Sequence, residues 1–473
     1  MREYELIVIG SGSAYALVDQ LLERDPAARV ALIDKDTPGG ICLTRGCIPS
    51  KMLLYPADVV RLVERAEQFG VYLTLDRVDF AEVMRRMRHR IDPSIARIRE
   101  EFAHTDRLQF FPAPARFVRP SVLEVAGQEL TSRRILLATG SQPSVPDIPG
   151  LAESGYLTSD TLLGLTELPP RLAILGGGYI GLEFAHFFSA MGSRVTLLGR
   201  NSRLLPGEEP EISEFVAAAF KGRIDVRTGT ELLRVDGTAG APLTLELTGR
   251  DGAGHSVPEV DRLLVAVGRG PTTSILDLAA GGVETTPQGW IRVDRYLATT
   301  APGVWALGDA TGAHPFKHKA NYDADLLVRN LLGGAHDAVD YTAVPHAVFT
   351  DPEVASVGLG ERAALDLVGR DRLLVGRSVF EETVKGQAMG ATGLVKVLVE
   401  KESLRILGAH IVGPQASVLV QEVVTLLNTP SRSAKPIIDG MHIHPALSEV
   451  VDWAFARLRP WPGYHPPPTA PEA

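Results

Sequence analysis

The chain has 473 residues, a formal net charge of −9 and only two cysteines. At this length about three domains are expected, each large enough for its own core. The mild acidic balance gives no basis for binding nucleic acid or an anionic membrane. No apolar run approaches the roughly 18 residues of a membrane helix, and two thiols build neither a disulfide framework nor a four-cysteine metal site.

The first predicted strand, Leu6-Ile7-Val8-Ile9, starts almost at once. No basic region, apolar run or cleavage site precedes it, so a cytoplasmic location is expected. The strand turns on Gly10-Ser11-Gly12-Ser13-Ala14 into a helix through Leu17, Val18, Leu21 and Leu22, and the next strand, Arg29-Val30-Ala31-Leu32-Ile33, ends in Asp34. This is half of a dinucleotide-binding fold. The glycines let a pyrophosphate approach the backbone, the helix N-terminus attracts its charge, and Asp34 accepts from a ribose hydroxyl. Tyr15 stands where a third glycine is usual, so either the helix lies farther from the strand or Ala14 and Ala16 supply the close approach.

Both cysteines follow, in Gly39-Gly40-Ile41-Cys42-Leu43-Thr44-Arg45-Gly46-Cys47-Ile48-Pro49-Ser50-Lys51. Their spacing suits a short, strained disulfide at a loop-to-helix junction, where the helix N-terminus stabilises a thiolate when the bond opens. The alternative is a pair of small buried hydrophobes, but flanking glycines and Pro49-Ser50-Lys51 are poor core packing. In a reducing compartment such a pair is expected to be catalytic.

Two buried-strand runs, Leu136-Leu137-Ala138-Thr139-Gly140 and Leu263-Leu264-Val265-Ala266-Val267-Gly268, are expected to return the chain to the first and second nucleotide folds. The second fold opens with Arg171-Leu172-Ala173-Ile174-Leu175, turns on Gly176-Gly177-Gly178-Tyr179-Ile180-Gly181 and continues as a helix through Leu182, Phe184, Phe187 and Phe188. Two such motifs in one chain indicate an enzyme with two nucleotide ligands. The second strand of this fold runs into Gly199-Arg200-Asn201-Ser202-Arg203. No carboxylate is there for an NAD ribose, and two guanidinium groups are available for a 2′-phosphate, which favours NADPH over NADH. Farther on, Val304-Trp305-Ala306-Leu307-Gly308-Asp309 puts a carboxylate after a buried strand, suited to a polyol or ribose. From about residue 343 strands alternate with an apolar helix near residues 418–427, an α+β pattern, and residues 459–473 are proline-rich with no helical or strand period.

Taken in order, GSGSA, GGICLTRGCIPSK, ATG, GGGYIGLEF, VWALGDA and HIHPALSEVV make a sequence that resembles the class I flavoprotein disulfide reductases, the family of dihydrolipoamide dehydrogenase and of glutathione, mycothione and mercuric reductases. The likeness runs from Tyr4 to about Val451. It implies an α/β fold with two Rossmann-like dinucleotide-binding domains and a C-terminal α+β dimerisation domain. The expected parts are an FAD domain (residues 1–148), an NAD(P)H domain (149–272), a central segment completing the first (273–342), an interface domain (343–458) and a tail (459–473).

Carried over by resemblance, Gly10, Gly12, Ala14, Asp34, Lys51, Gly140, Asp309 and Ala320 hold FAD. NADPH, or NADH, is held by Gly176, Gly178, Tyr179, Gly181, Arg200, Arg203 and Gly268, with Tyr179 either covering the nicotinamide pocket or packing. Cys47 is the thiolate beside the flavin and Cys42 the thiol that exchanges with substrate, while Lys51 pairs with Glu183. His444, contributed across a homodimer with shared active sites, is the acid/base oriented by Glu449, and His442 is a bystander. His318 corresponds to a family histidine near the flavin, with mainly backbone contact expected. The implied substrate is a small-molecule disulfide or dithiol. Mercuric reductases add a second cysteine pair near the C-terminus, which this chain lacks. The remaining alternatives are an NAD-dependent dihydrolipoamide dehydrogenase and a flavin-binding subunit without turnover, the latter opposed by the complete set of reactive residues.

Overall fold

Four-residue strands of purely apolar sequence need cover on both faces, and the computed structural model, which describes residues 1–250 and 252–461, shows how it is supplied. Leu6–Ile9 pairs in parallel with Val30–Ile33 at the centre of a five-stranded sheet, with Leu108–Phe111 on one side and Ile135–Leu137 and Val304–Ala306 on the other. Alternate side chains leave opposite faces. Leu6 and Val8 pack with helix α1 (Tyr15–Arg24), while Ile7 and Ile9 pack with Phe117, Leu123 and Leu130 of an antiparallel layer.

The second nucleotide fold repeats the plan. Arg171–Leu175 sits in a five-stranded parallel sheet between Arg194–Gly199 and Arg262–Val265. Leu172 and Ile174 face the helical side, and Ala173 and Leu175 face a three-stranded antiparallel layer.

Between α1 and the second fold lie α2 (Gly40–Thr44), the 18-residue α3 (Cys47–Glu64) and α4 (Phe80–His104). The helix that opens the second fold, α5 (Tyr179–Met191), is apolar almost all round. A helix of that kind must be buried on every side. The sheet covers one side of α5, and Leu53, Leu54, Ala57 and Val60 of α3 join Phe184, Phe187 and Phe188 in the same core. The helix that starts at Cys47 is thereby locked to the helix that starts the second nucleotide fold.

The C-terminal part is a six-stranded antiparallel sheet, with Leu394–Glu400 and Ile406–Gly413 central and helices Ala416–Leu427 and Glu449–Ala456 in its core. It is tied to the second nucleotide fold through Lys396, whose buried ammonium meets Glu209, Glu211 and Glu361. Residues 459–473 show no strand period and were expected to be extended or disordered; of these, Arg459–Pro460 is extended and ordered, pairing antiparallel with Leu374 and Val375. Trp461 then anchors that edge, its indole N–H donating to Glu361 at 2.8 Å with Arg370 over its ring. The rest of the tail lies outside the described residues.

Candidate active site

The two glycine turns open into one cleft of ≈ 2230 Å³, which also reaches Cys42, Cys47 and Lys51. Pockets for single small ligands run to roughly 1,000 Å³, so this one has room for two dinucleotides. The glycines divide into two kinds. Gly10 (φ +108°) and Gly176 (φ +130°) are required by the protein itself, because a Cβ there would lie 2.1 Å from the Ala138 carbonyl oxygen and 2.2 Å from that of Ala266. Gly12 and Gly178 are different: a Cβ at Gly12 meets nothing closer than 3.8 Å, and one at Gly178 meets nothing within 4 Å. Internal packing does not require glycine at either place; what their bareness keeps open is the cleft. Thr139, between the residues that close the first turn, also lines the cleft and has a buried hydroxyl with no partner among the described residues. An open cradle and an unsatisfied hydroxyl fit a bound dinucleotide.

The first turn, with Tyr15 in place of a third glycine, differs from the second. Where α5 starts three positions after its first glycine, α1 starts five after Gly10 and its first hydrogen bonds span three residues, as from Tyr15 N–H to the Gly12 carbonyl. Ala14 is buried and supplies the close approach, whereas Ala16 is exposed and does not. Asp34 is held by a residue that the sequence did not single out: its carboxylate accepts from Ser11 N–H at 2.9 Å and Ser11 Oγ at 2.6 Å, and its other oxygen from Asp36 N–H. A carboxylate offers about four acceptor sites, which leaves one for a ribose hydroxyl.

Asp309 accepts from Ser141 Oγ, which in turn accepts from Arg269 Nε at 2.7 Å. Gly140 and Gly268, both at positive φ, adjoin these two partners and line the cleft. The turn bearing Asp309 is fixed from α7 (Lys317–Leu332), the helix that follows α6 (Pro210–Phe220) in the chain. There Lys319 and Asp323, both fully buried, pair at 2.7 Å, and Asp323 also accepts from Gly308 N–H. Ala320 packs directly under Gly308.

Cys47 is the first residue of α3, and Cys42 lies in α2; the structure shows the two as thiols. Their acidities are driven apart. Cys47 is pulled well below the usual thiol range, chiefly by the Cys42 thiol donating to it and then by the Lys51 ammonium, against burial and Glu183. Cys42 is pushed up by the same hydrogen bond and by burial. The helix N-terminus favours the same thiolate. Lys51, one turn along, bridges Glu183 at 2.7 and 2.6 Å and lies 4.6 Å from the Phe349 ring centroid. Glu183 is only 8% exposed and also accepts from Phe349 N–H.

At the second turn, Arg200 and Arg203 line the cleft, both exposed and with no protein partner among the described residues. Tyr179 donates to Glu208 at 2.8 Å and stacks on His346, and Glu208 accepts also from His346 and Ser356. These contacts hold Glu208 at about 2, well below the usual carboxylate range, despite its burial. Gly181 touches the Gly176 carbonyl, where a Cβ would clash.

The C-terminal pair forms as expected but does not line this cleft. His444 Nδ1 lies 2.8 Å from Glu449, which also accepts from Ala446 N–H, and the imidazole is 67% exposed. Around it Met441 and Ile443 are exposed. His442 is instead enclosed, 3.0 Å from Glu422 on the helix Ala416–Leu427. His318 donates from Nε2 to the Pro345 carbonyl and stacks on Phe316, and burial lowers its pKa.

Two open glycine turns, a cleft joining them and a split-acidity cysteine pair on its wall define a two-nucleotide redox protein. Residues 4–339 match the family described as pyridine nucleotide-disulphide oxidoreductase, and residues 344–455 match its dimerisation domain. The chain is 37% identical to mycothione reductase of Mycobacterium tuberculosis over 97% of its length and all of the relative's. It is 33% identical to dihydrolipoyl dehydrogenase of Chlamydia pneumoniae, with 97% of each covered. Among solved structures, the HOCl-induced flavoprotein disulfide reductase RclA from Escherichia coli superposes with a TM-score of 0.83 at 28% identity, covering 96% of this chain and 99% of that one. A Cu(II) complex of the same protein gives 0.84. The chain belongs to the class I pyridine nucleotide-disulphide oxidoreductases. It is a flavoprotein disulfide reductase using FAD and NAD(P)H, and it forms a homodimer through the dimerisation domain. No helix among the described residues is long and apolar enough to cross a membrane.

Proposed function

We propose that this enzyme uses NADPH to reduce a low-molecular-weight disulfide, with Cys42 and Cys47 as its redox pair. The observation that carries this reading is the divided acidity of the two cysteines at the head of α3. In this reading residues 1–148 and 273–342 hold FAD, 149–272 hold NADPH and 343–458 form the interface. Bound FAD supplies two-electron transfer between the nicotinamide coenzyme and the cysteine pair.

The chain's own part is thiol–disulfide exchange. Cys42 gives up its proton and attacks one sulfur of the substrate disulfide, and the other sulfur leaves as a thiolate. Cys47 is already a thiolate and attacks Cys42 in the resulting mixed disulfide. That releases the second thiolate and closes the Cys42–Cys47 bond. Each leaving thiolate takes a proton, so a group able to hold and return one is required. His444, oriented through Nδ1 by Glu449, leaves Nε2 for this work. It does not line its own protomer's cleft, and its exposure amid Met441 and Ile443 supports delivery into the second subunit's site. The reading places the enzyme in the cytoplasm, where a reduced thiol pool is maintained.

Assays with NADPH and NADH against mycothione, lipoamide, glutathione disulfide and Cu(II) test the proposal. NADPH-driven turnover of a thiol disulfide is expected. NADH-linked turnover of lipoamide alone would return dihydrolipoamide oxidation to first place.

A further inference from the structure

Lys317 is the first residue of α7, and nothing in the chemistry above uses it. Its ammonium donates to Ser13 Oγ at 2.8 Å, and that hydroxyl donates to Asn321 Oδ1 at 2.9 Å. Ser13 follows Gly12 in the first glycine turn, so two segments 304 positions apart meet there. No carboxylate pairs with Lys317 among the described residues. Lys319, two positions on, differs: its charge is spent on Asp323, and both are fully buried. The first turn thus has a full positive charge without a counter-charge, held by a hydroxyl on the wall of the cleft.

We propose that Lys317 is the ionic anchor for the diphosphate of the dinucleotide bound at the first glycine turn. This rests on assigning that turn to FAD. A helix N-terminus contributes only about half an elementary charge, and a diphosphate carries two negative charges. Here α1 starts with a tight turn of hydrogen bonds spanning three residues and has no side-chain cap, so its dipole alone leaves most of that charge uncompensated. A lysine supplies a point charge, and its hydrogen bond to Ser13 reduces the rotamer freedom lost on binding. The ammonium's field also reaches the Cys42 thiol. A role confined to that thiol would change its reactivity without changing affinity for the cofactor.

The test uses the full-length protein stripped of flavin and titrated with FAD, read by flavin fluorescence at low and high salt. K317Q is expected to bind FAD about 10- to 100-fold more weakly than wild type at low salt, the worth of one charge-assisted hydrogen bond. The gap should narrow at high salt, because screening removes the ionic part, and K317R should stay close to wild type. Unchanged affinity in K317Q, or a loss equal at both salt levels and not rescued in K317R, overturns the proposal. G12V tests the underlying assignment separately. Its Cβ meets no protein atom closer than 3.8 Å, and its bulk is added at the cleft wall, so FAD binding should be lost. Normal FAD binding by G12V would refute the assignment of FAD to this turn and the role of Lys317 with it. Loss in G12V beside unchanged binding in K317Q would refute the Lys317 role alone.

Discussion

Coenzyme preference is where the site makes a quantitative claim. Arg200 and Arg203 face the cleft without partners among the described residues, so truncating them breaks no ion pair there and leaves no buried charge. A hydrogen bond to a charged group contributes about 1.5–3 kcal/mol when its partner is partly desolvated. One good contact to a 2′-phosphate is therefore worth roughly 10- to 100-fold in affinity, and exposure of both guanidiniums puts the expectation at the lower end. R200A/R203A should raise the KM for NADPH by about that factor and leave the KM for NADH nearly unchanged. The complementary variant is G199E. A Cβ at Gly199 meets nothing closer than 3.9 Å, so the carboxylate can be carried without distorting the strand end. It would supply the acceptor for ribose hydroxyls and repel a 2′-phosphate, shifting the ratio of kcat/KM values toward NADH. Steady-state kinetics with both coenzymes at a saturating disulfide measures all of this. A wild-type preference for NADH, or an equal loss with both coenzymes in R200A/R203A, would refute the argument.

The cysteine assignment predicts different losses. C47S should lack the long-wavelength absorption of a thiolate beside the flavin, and C42S should retain it while losing disulfide turnover. Because the Cys47 pKa is lowered to about 6, its thiolate persists as pH falls until that value is reached. In the reduced wild-type enzyme, where the Cys42 thiol is present to donate, alkylation of Cys47 located by peptide mapping should therefore be fast at neutral pH and fall away only in mild acid. Adding K51M removes the cation and leaves Glu183 as an uncompensated anion, so the alkylation profile should move to higher pH; an unmoved profile would contradict the role given to Lys51. H444A should slow the disulfide half-reaction by about 10²–10⁴-fold and spare reduction by NADPH. Verified heterodimers of C42S with H444A should regain activity, since one of their two sites has both groups intact; no recovery would count against a shared site. Finally, K319M strands the fully buried Asp323 and should lower unfolding stability by about 3–5 kcal/mol in denaturant titration. K319M/D323N should recover part of it, and a single-variant loss near zero would show the pair contributes nothing.

Much of this enzyme is legible in the chain because its requirements are local. Gly10 and Gly176 take a positive φ in the turn of one strand–turn–helix unit, a local conformation that favours glycine, although the carbonyls of Ala138 and Ala266 that press on them come from distant strands. A cysteine beginning a helix inherits that helix's N-terminal field whatever surrounds it. The strand at Arg194–Gly199 shows by its residues alone that no acid follows it. Other features depend on distant parts of the chain meeting, and no spacing or periodicity encodes such meetings. Ser141 steadies Asp309 across 168 positions of chain, and Arg269 reaches Ser141 across 128. Arg459–Pro460 is too short to show a strand period and became a strand only because the edge at Leu374 and Val375 had backbone groups to pair. The nearly all-apolar α5 is explained only by α3 lying against it. Lys317 reads in sequence as one more helical lysine beside Lys319, and tertiary packing separates them, burying one with a carboxylate and leaving the other charged at the mouth of a glycine turn. The reactive groups are fixed by local sequence, whereas their neutralisation or continued availability is fixed by what the fold brings within hydrogen-bonding distance, and electrostatic interaction depends on that distance rather than on separation along the chain.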